Sequence, residues 1–152
     1  MWLPLILSIL IFLTDRVLKY IVFKNLSLGE SIPIIENLIH ITPTHNRGIA
    51  FGLFKGQNPA LFLILSLLAI IFIIYLIVKK RTQSKSMLLG FFLILSGACG
   101  NLVDRIIYGY VLDFIDLRVW PVFNIADSAI TIGTCIILWK LLIKKPESKK
   151  GL

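Results

Sequence analysis

The sequence predicts an all-α integral membrane protein of four transmembrane helices, with a small extracytoplasmic β/loop platform between the first helix and the second. Three observations predict it. The chain of 152 residues is 57% hydrophobic with a mean hydropathy of +0.89, whereas soluble domains are about 45–50% apolar. A soluble domain this small could not bury so much apolar surface. The apolar residues also fall in four runs, at about 2–22, 60–78, 86–107 and 123–143, each close to the roughly 20 residues that cross a bilayer core. Finally, the basic residues gather at the ends of those runs. Lys79, Lys80, Arg81 and Lys85 share one connection, and Lys144, Lys145, Lys149 and Lys150 share the tail with Glu147. One integral membrane domain over 1–152 follows.

The first run is apolar until Asp15. No basic segment and no small-residue cleavage signal precede it, so a retained helix is expected and a removable signal peptide is not. Pro4 falls near the helix start, where a missing N–H matters least. Asp15 and Lys19 are spaced i, i+4 with the acid on the N-terminal side, the better orientation for a helical ion pair. Such a pair makes a polar helix face tolerable and stands to brace a site inside the bundle.

Residues 23–58 are a different material. Gly29, Pro33, Pro43, Gly48, Gly52 and Gly56 break the stretch, and Ile39-His40-Ile41-Thr42 alternates with the period of a strand. The stretch is too broken to cross a membrane, so it reads as a platform at the surface. His40 and His45 read as hydrogen-bonded surface or interfacial side chains, since no further ligands recur at metal-binding spacing. Asn46 offers both donor and acceptor groups.

Pro59 opens the second helix. Residues 60–78 carry no charge and predict a packing role only. The third helix presents Gly90, Ser96, Gly97, Ala98 and Gly100, a small-residue surface that lets helices approach closely in lipid. Its end carries Asn101, Asp104 and Arg105 at i, i+3 and i+4, hence on one face. Asp113 and Asp116 follow in the 108–122 connection. Pro121 precedes the fourth helix, which opens on Asn124 and Asp127 and carries Trp139 as an interfacial anchor. Cys99 and Cys135 lie in apolar runs and read as small buried side chains.

Charge sets the topology. Residues 79–85 hold four basic groups and no acid, +4, while 106–122 hold one arginine against two aspartates, −1. The basic connection and the tail are expected in the cytoplasm, with both termini. The platform and the 108–122 connection then face outward. Asp15, Asn101, Asp104, Arg105 and Asp127 all fall toward the outer helix ends and converge with Asn46 and Asp113 on one face.

Carboxylates beside apolar runs are expensive unless paired, hydrogen-bonded or protonated. Two that share a site cannot both ionise easily, so the pair can hold one proton. The charged member can take a proton from water while the protonated member donates to a carbonyl. That is amide hydrolysis without metal or covalent intermediate. The residues alone leave several pairings open among Asp104, Asp113, Asp116 and Asp127. Asp104, beside Arg105 and on the Asn101 helix, reads as part of a structural ion network, and Asp116 as a simple exposed charge. Arg105 reads as an organiser, because its planar fork holds two acceptors in fixed geometry.

The net charge of +8 would suit nucleic acid, but no basic groove with interleaved aromatics exists, and that class is excluded. A small transporter or proton-relay subunit would use the same carboxylates, but spread through the membrane depth and usually with repeat symmetry. A non-catalytic assembly protein would leave Asp113 and Asp127 dispensable.

The stretch from 97 to 127 resembles the bacterial lipoprotein signal peptidases, membrane-embedded aspartic proteases. The pattern GN-x-x-DR, V-x-DF and FN-x-AD reads here as Gly100-Asn101, Asp104-Arg105, Val111, Asp113-Phe114, Phe123-Asn124 and Ala126-Asp127. Asp15 and Lys19 fit the family's D-x-x-x-K element. Asn46, Gly48, Ala50 and Phe51 match its N-x-G-x-A-F-G element. The resemblance spans Asp15 to about Ile132. It implies an endopeptidase of the bacterial inner membrane that removes the signal peptide of diacylglyceryl-modified prolipoproteins just before the lipidated cysteine. It implies no cofactor and no metal, leaves the oligomeric state open and is compatible with a monomer. It makes Asp113 and Asp127 the catalytic pair and Asn101, Arg105, Asn124 and Asp104 the surrounding polar shell. Asn46 lines the site, and the platform cradles the lipid-modified substrate. The family's usual glutamine after the first aspartate is Arg16 here, which is expected to reach lipid phosphates instead. Phe114 and Trp120 are expected as apolar gates.

Overall fold

The computed structural model describes residues 2–48, 59–79 and 84–143. The elements run α1 (Trp2–Asn25), β1 (Ile32–Ile35), β2 (Ile39–Asn46), α2 (Pro59–Lys79), α3 (Lys85–Tyr108), β3 (Val111–Asp116) and α4 (Ile125–Ile143). The four long helices form a bundle with a β-hairpin between α1 and α2. Ala50, Phe51 and Gly52 of the platform, Lys80 and Arg81, and the basic tail from Lys144 lie outside the described residues.

Among the described residues, α2, α3 and α4 are long and apolar enough to cross a membrane. The expectation of four such helices meets a difference at α1. It has 24 residues, but Asp15, Arg16 and Lys19 interrupt its apolar run. The bundle is inverted relative to a soluble protein. Val78 and Leu142 are 70% and 83% exposed, while Asp15, Lys19, Asp104 and Asn124 are buried. Water would penalise that arrangement and lipid would favour it.

The small residues of α3 do what their spacing suggests. A methyl group on Gly97 would strike the Ala126 carbonyl oxygen, and one on Gly90 would lie 2.9 Å from the Gly133 carbonyl oxygen. These contacts run α4 antiparallel to α3 at close approach. α1 runs parallel to α3. Ser8 donates to the Phe92 carbonyl (3.0 Å), and Ser96 donates to the Ser8 carbonyl (2.7 Å). The C-terminal ends of α1 and α3 and the start of α4 therefore meet at one end of the bundle. Cys99 is half-buried and Cys135 is exposed on α4, so the buried reading fails for Cys135. It lines an open groove with Ser86 and Leu89 of α3.

The platform is larger than its 23–58 boundary. β3 comes from the connection between α3 and α4 and joins an antiparallel sheet ordered β1-β2-β3. Gly109, at φ 77, ends α3 in the left-handed conformation, with its N–H on the Arg105 carbonyl. That turn sends the chain back as a strand instead of onward. Phe123 then bridges Ile115, its carbonyl accepting from the N–H groups of Phe114 and Ile115 (3.0 and 2.7 Å). The bridge ties β3 to the residue before the α4 cap. Phe114 is only 3% exposed. It is buried in the core and does not line an open entrance.

Candidate active site

Asp113 sits on β3 opposite Thr44, two residues from Asn46 on the same strand. Residues two apart share a sheet face and stay within diagonal reach of the partner strand. Asn46 Nδ2 accordingly donates to Asp113 Oδ2 (2.9 Å), and Asn46 Oδ1 accepts from the Gly48 N–H (3.0 Å).

Asp127 arrives by a different local rule. Asn124 caps α4, with its Oδ1 accepting from the Asp127 N–H (2.8 Å), while Asp127 Oδ2 accepts from the Asn124 N–H (3.3 Å). This reciprocal pair is a capping box, which satisfies two otherwise orphaned N–H groups. It also holds the Asp127 carboxylate at the helix start. Asn101, from α3, donates through Nδ2 to Asp127 Oδ1 (2.7 Å).

Asn124 joins the two halves. Its Nδ2 donates to Asp113 Oδ1 (2.6 Å) and lies 3.1 Å from Asn101 Oδ1 and 3.3 Å from the Leu112 carbonyl. One buried amide therefore bonds the Asp113 carboxylate directly and fixes the backbone that carries Asp127. The remaining N–H donors on the two carboxylates come from Asn46, Asn101 and the Asn124 backbone. Three asparagines supply fixed dipoles without adding a competing proton.

Burial, then the neighbouring charge of Asp127, push the Asp113 carboxyl up to about 7 against the pull of Asn46, Asn124 and Lys19. An unfolded chain titrates this group near ~3.9. Between those values the native state binds more protons than the unfolded one. The stability Asp113 contributes is then fully present below the unfolded value and is lost as pH rises through about 7. The Tm of the detergent-solubilised protein should fall between about pH 5 and pH 8, and Asp113→Asn should make that fall shallower. Equal slopes in the two proteins would contradict the assignment.

Below this pair lies a buried ion cluster. Lys19 Nζ contacts Asp15 Oδ2 (2.9 Å), Asp104 Oδ2 (2.6 Å) and Asn101 Oδ1 (3.4 Å). Arg16 Nη2 reaches Asp104 Oδ1 (2.6 Å) and Asp15 Oδ2 (3.2 Å). Arg16 thus turns inward and does not reach outward to lipid phosphates. The two fully buried acids beside it draw the guanidinium in. Among the described residues Arg105 makes one long contact, from Nη1 to the Asn101 carbonyl (3.5 Å), so its fork does not hold the two acceptors expected of it. The acids whose charges reach it are Asp127, Asp113 and Asp104.

Asp116 is not a simple exposed charge. It is 7% exposed, and its Oδ1 and Oδ2 accept from the Arg118 N–H (2.8 Å) and the Thr42 hydroxyl (3.1 Å). Burial alone would raise its pKa. The Arg118 N–H, the Thr42 hydroxyl and the Arg118 guanidinium outweigh burial and hold the carboxyl below its usual value. It braces the sheet away from the Asp113–Asn124 contact. His40 Nδ1 lies 3.0 Å from Ser31 Oγ. His45 is stacked instead, 3.9 Å from Tyr110 and 5.9 Å from Phe23 between ring centroids.

Three features escaped the sequence reading. Arg16 joins the ion cluster, β3 joins the sheet, and Asn124 bonds both halves of the site. The last had a signal in the Asn-x-x-Asp spacing of 124–127, a capping-box pattern.

The chain resembles known proteins along nearly its full length. The sequence model of the family described as "Signal peptidase (SPase) II" matches residues 7–143. The lipoprotein signal peptidase of Moorella thermoacetica is 41% identical over 148 residues, covering 97% of this chain and 96% of that protein. That of Halothermothrix orenii is 41% identical over 133 residues, covering 88% and 90%. Two solved structures of a bacterial membrane enzyme, determined by the in meso method at 2.3 and 1.9 Å resolution, superpose with TM-scores of 0.88 and 0.84 at 32% identity. They cover 97% and 93% of this chain and 94% of each of theirs.

Proposed function

The chain belongs to the signal peptidase II family, and from that premise we propose that Asp113 and Asp127 are its catalytic pair. It is a multi-pass aspartic peptidase of the bacterial inner membrane that acts on lipoprotein precursors. The observation that carries the assignment of the pair is the Asn124 bridge. Two carboxylates from separate elements are held by one buried residue at the end of the bundle, Asp113 by the Asn124 side-chain amide and Asp127 by the Asn124 backbone N–H.

In this reading a water molecule lies between the two carboxyls. Asp113, with its pKa pushed up to about 7, holds the shared proton near neutral pH. Asp127, accepting from Asn101 and the Asn124 N–H, takes a proton as water attacks the scissile carbonyl. Asp113 gives its proton to the carbonyl oxygen, and the tetrahedral intermediate collapses when the leaving amine is protonated. Asn46 holds Asp113 from the platform side. Asn101, Asn124, Arg105, Asp104, Asp15 and Lys19 support the pair. The chemistry invokes no metal and no cofactor. The substrate is a diacylglyceryl-modified prolipoprotein, cut just before the lipidated cysteine. A bundle with a lipid-facing exterior lets the acyl chains stay in the bilayer while the peptide reaches the polar end. Purified protein in lipid should cleave the diacylglyceryl-modified precursor and leave the same precursor without lipid at least ~10²-fold slower, because remote binding energy orients the reacting bond. Equal rates on both would refute the lipid requirement.

α1 is the fourth crossing. Its 24 residues extend about 36 Å at 1.5 Å per residue, and its charges Asp15, Arg16 and Lys19 are neutralised within the bundle. Both termini are cytoplasmic and the site faces outward, because Lys79 and Lys85 flank the connection with the excess of basic residues. A reporter inserted beside Ser84 or after Lys150 should read as cytoplasmic, and one beside Gly29 as external. External signals at both basic regions would invert the site.

A further inference from the structure

The ion cluster has a second set of contacts on the backbone of the site. Asp15 Oδ1 accepts from the Ala126 N–H (3.1 Å), and Asp104 Oδ2 accepts from the Leu112 N–H (3.1 Å). Ala126 and Leu112 are the residues immediately before Asp127 and Asp113. Each acid of the cluster therefore pins the peptide that delivers one carboxylate of the pair. Lys19 joins the two acids at 2.9 and 2.6 Å, and Arg16 joins them again at 3.2 and 2.6 Å. Asp15 and Arg16 stand on α1, Asp104 on α3, Leu112 on β3 and Ala126 on α4, so four elements meet at one ammonium and one guanidinium.

Resting on the reading of Asp113 and Asp127 as the pair, we propose that Lys19 and Arg16 form a two-cation clamp that sets the separation of the catalytic carboxylates through the Ala126 and Leu112 N–H groups. They are positioning residues and touch no reacting atom. Two cations on two carboxylates leave the cluster neutral, which burial favours. A neutral side chain at the Arg16 position would leave one carboxylate unmatched, and Arg16 doubles the link that Lys19 makes. Arg16 is the more accessible of the two cations, with a side chain 21% exposed against 2% for Lys19. It closes the cluster from the rim while Lys19 holds it from within. Tight spacing matters because a displacement of about 1 Å at a reacting group costs roughly 10²-fold in rate.

The clamp also carries charge toward the pair. The groups around Lys19 are Asp15 and Arg16 on its own helix, Asp104 and Asn101 on α3, Asp113 on β3 and Asp127 on α4. Lys19 acts coulombically on Asp113 and opposes the rise of its carboxyl. Removing a positive charge makes the pair hold its proton more tightly and moves the pH–rate profile upward.

The test uses the purified full-length protein in lipid with diacylglyceryl-modified precursor. Lys19→Met should lower kcat by about 10²-fold with KM unchanged and shift the pH optimum upward. Arg16→Gln should lower kcat several-fold with KM unchanged, and Arg16→Lys should restore it. A merely structural role would reduce the amount of folded protein and leave kcat per folded molecule and the pH profile unchanged. That result in Lys19→Met would overturn the clamp. If Lys19→Met does not fold, Arg16→Gln decides: an unchanged kcat per folded molecule overturns the proposal. Asp113→Asn, assayed beside them, separates the two readings. Activity retained there defeats the catalytic pair, whereas a dead Asp113→Asn with a normal Arg16→Gln and Lys19→Met defeats only the clamp.

Discussion

Asp113→Asn and Asp127→Asn are each expected to lower cleavage of diacylglyceryl-modified precursor by about 10³-fold or more, because each removes a group that must carry or release a proton. Asparagine keeps the shape of aspartate and cannot exchange the proton, so the loss reports chemistry. The packing cost is not zero. Asp127 accepts from Asn101 Nδ2 and the Asn124 N–H, and an amide can accept on one side only. Loss of half a capping box costs about 1 kcal/mol, so folding is measured separately by thermal denaturation. The double variant should be no slower than the worse single variant, since groups that act as a unit are non-additive. Asp116→Asn is the control. Its contacts are with Thr42 and Arg118 on the sheet, and most activity should remain. Substantial turnover by either single variant of the pair would break the two-aspartate mechanism.

Gly97→Ala should be the most damaging single methyl group in the bundle. Its Cβ would strike the Ala126 carbonyl oxygen and lie 2.7 Å from Ile130 Cγ1. Backbone cannot rotate away as a side chain can, so α4 must move off α3. Overpacking of this kind costs about 1–3 kcal/mol. The displaced residue is the neighbour of Asp127, so the rate should fall as well, by roughly 10²-fold for a shift near 1 Å. Gly90→Ala supplies the contrast. It meets Ile137 Cγ1 at 2.8 Å and the Gly133 carbonyl oxygen at 2.9 Å, at the end of the interface away from the pair. It should lose stability and keep kcat per folded molecule. Wild-type Tm and rate in Gly97→Ala would mean that the α3–α4 approach is looser than described.

The helices were legible because lipid exposure demands long apolar runs. α2, α3 and α4 begin and end within two residues of the apolar boundaries. α1 extends past them to Asn25, since helix geometry continues through Tyr20 and Lys24 where hydropathy no longer marks it. The third strand was hidden for a different reason. Val111–Asp116 pairs with Ile39–Asn46, a partner far away in the chain, and a six-residue segment holding two aspartates reads locally as a connection. The same lost pairing made Asp116 look like a free surface charge. Arg16 was misread because a charge inside an apolar helix points either to headgroups or to a buried acid. Only the parallel docking of α1 on α3 decides between them. The spacing of Asn101, Asp104 and Arg105 was legible as one helix face, and the convergence of polar residues on one end was legible from the charge pattern. The Asn124–Asp127 half of the bridge was legible in the i, i+3 spacing, but the Asn124 contact to Asp113 depends on the fold of β3 against α4 and could not be read from spacing.

The central claim is that Asp113 and Asp127 are electrostatically coupled, with Asp113 holding the proton. Carbon-13 NMR of protein labelled at the aspartate carboxyls, titrated across neutral pH, measures this directly. Asp113 is expected to titrate at about 7. In Asp127→Asn its midpoint should drop, because the removed charge is one of the causes that raise it. An Asp113 carboxyl that titrates near the ordinary value of about 4, and does not move when Asp127 is replaced, would contradict the account.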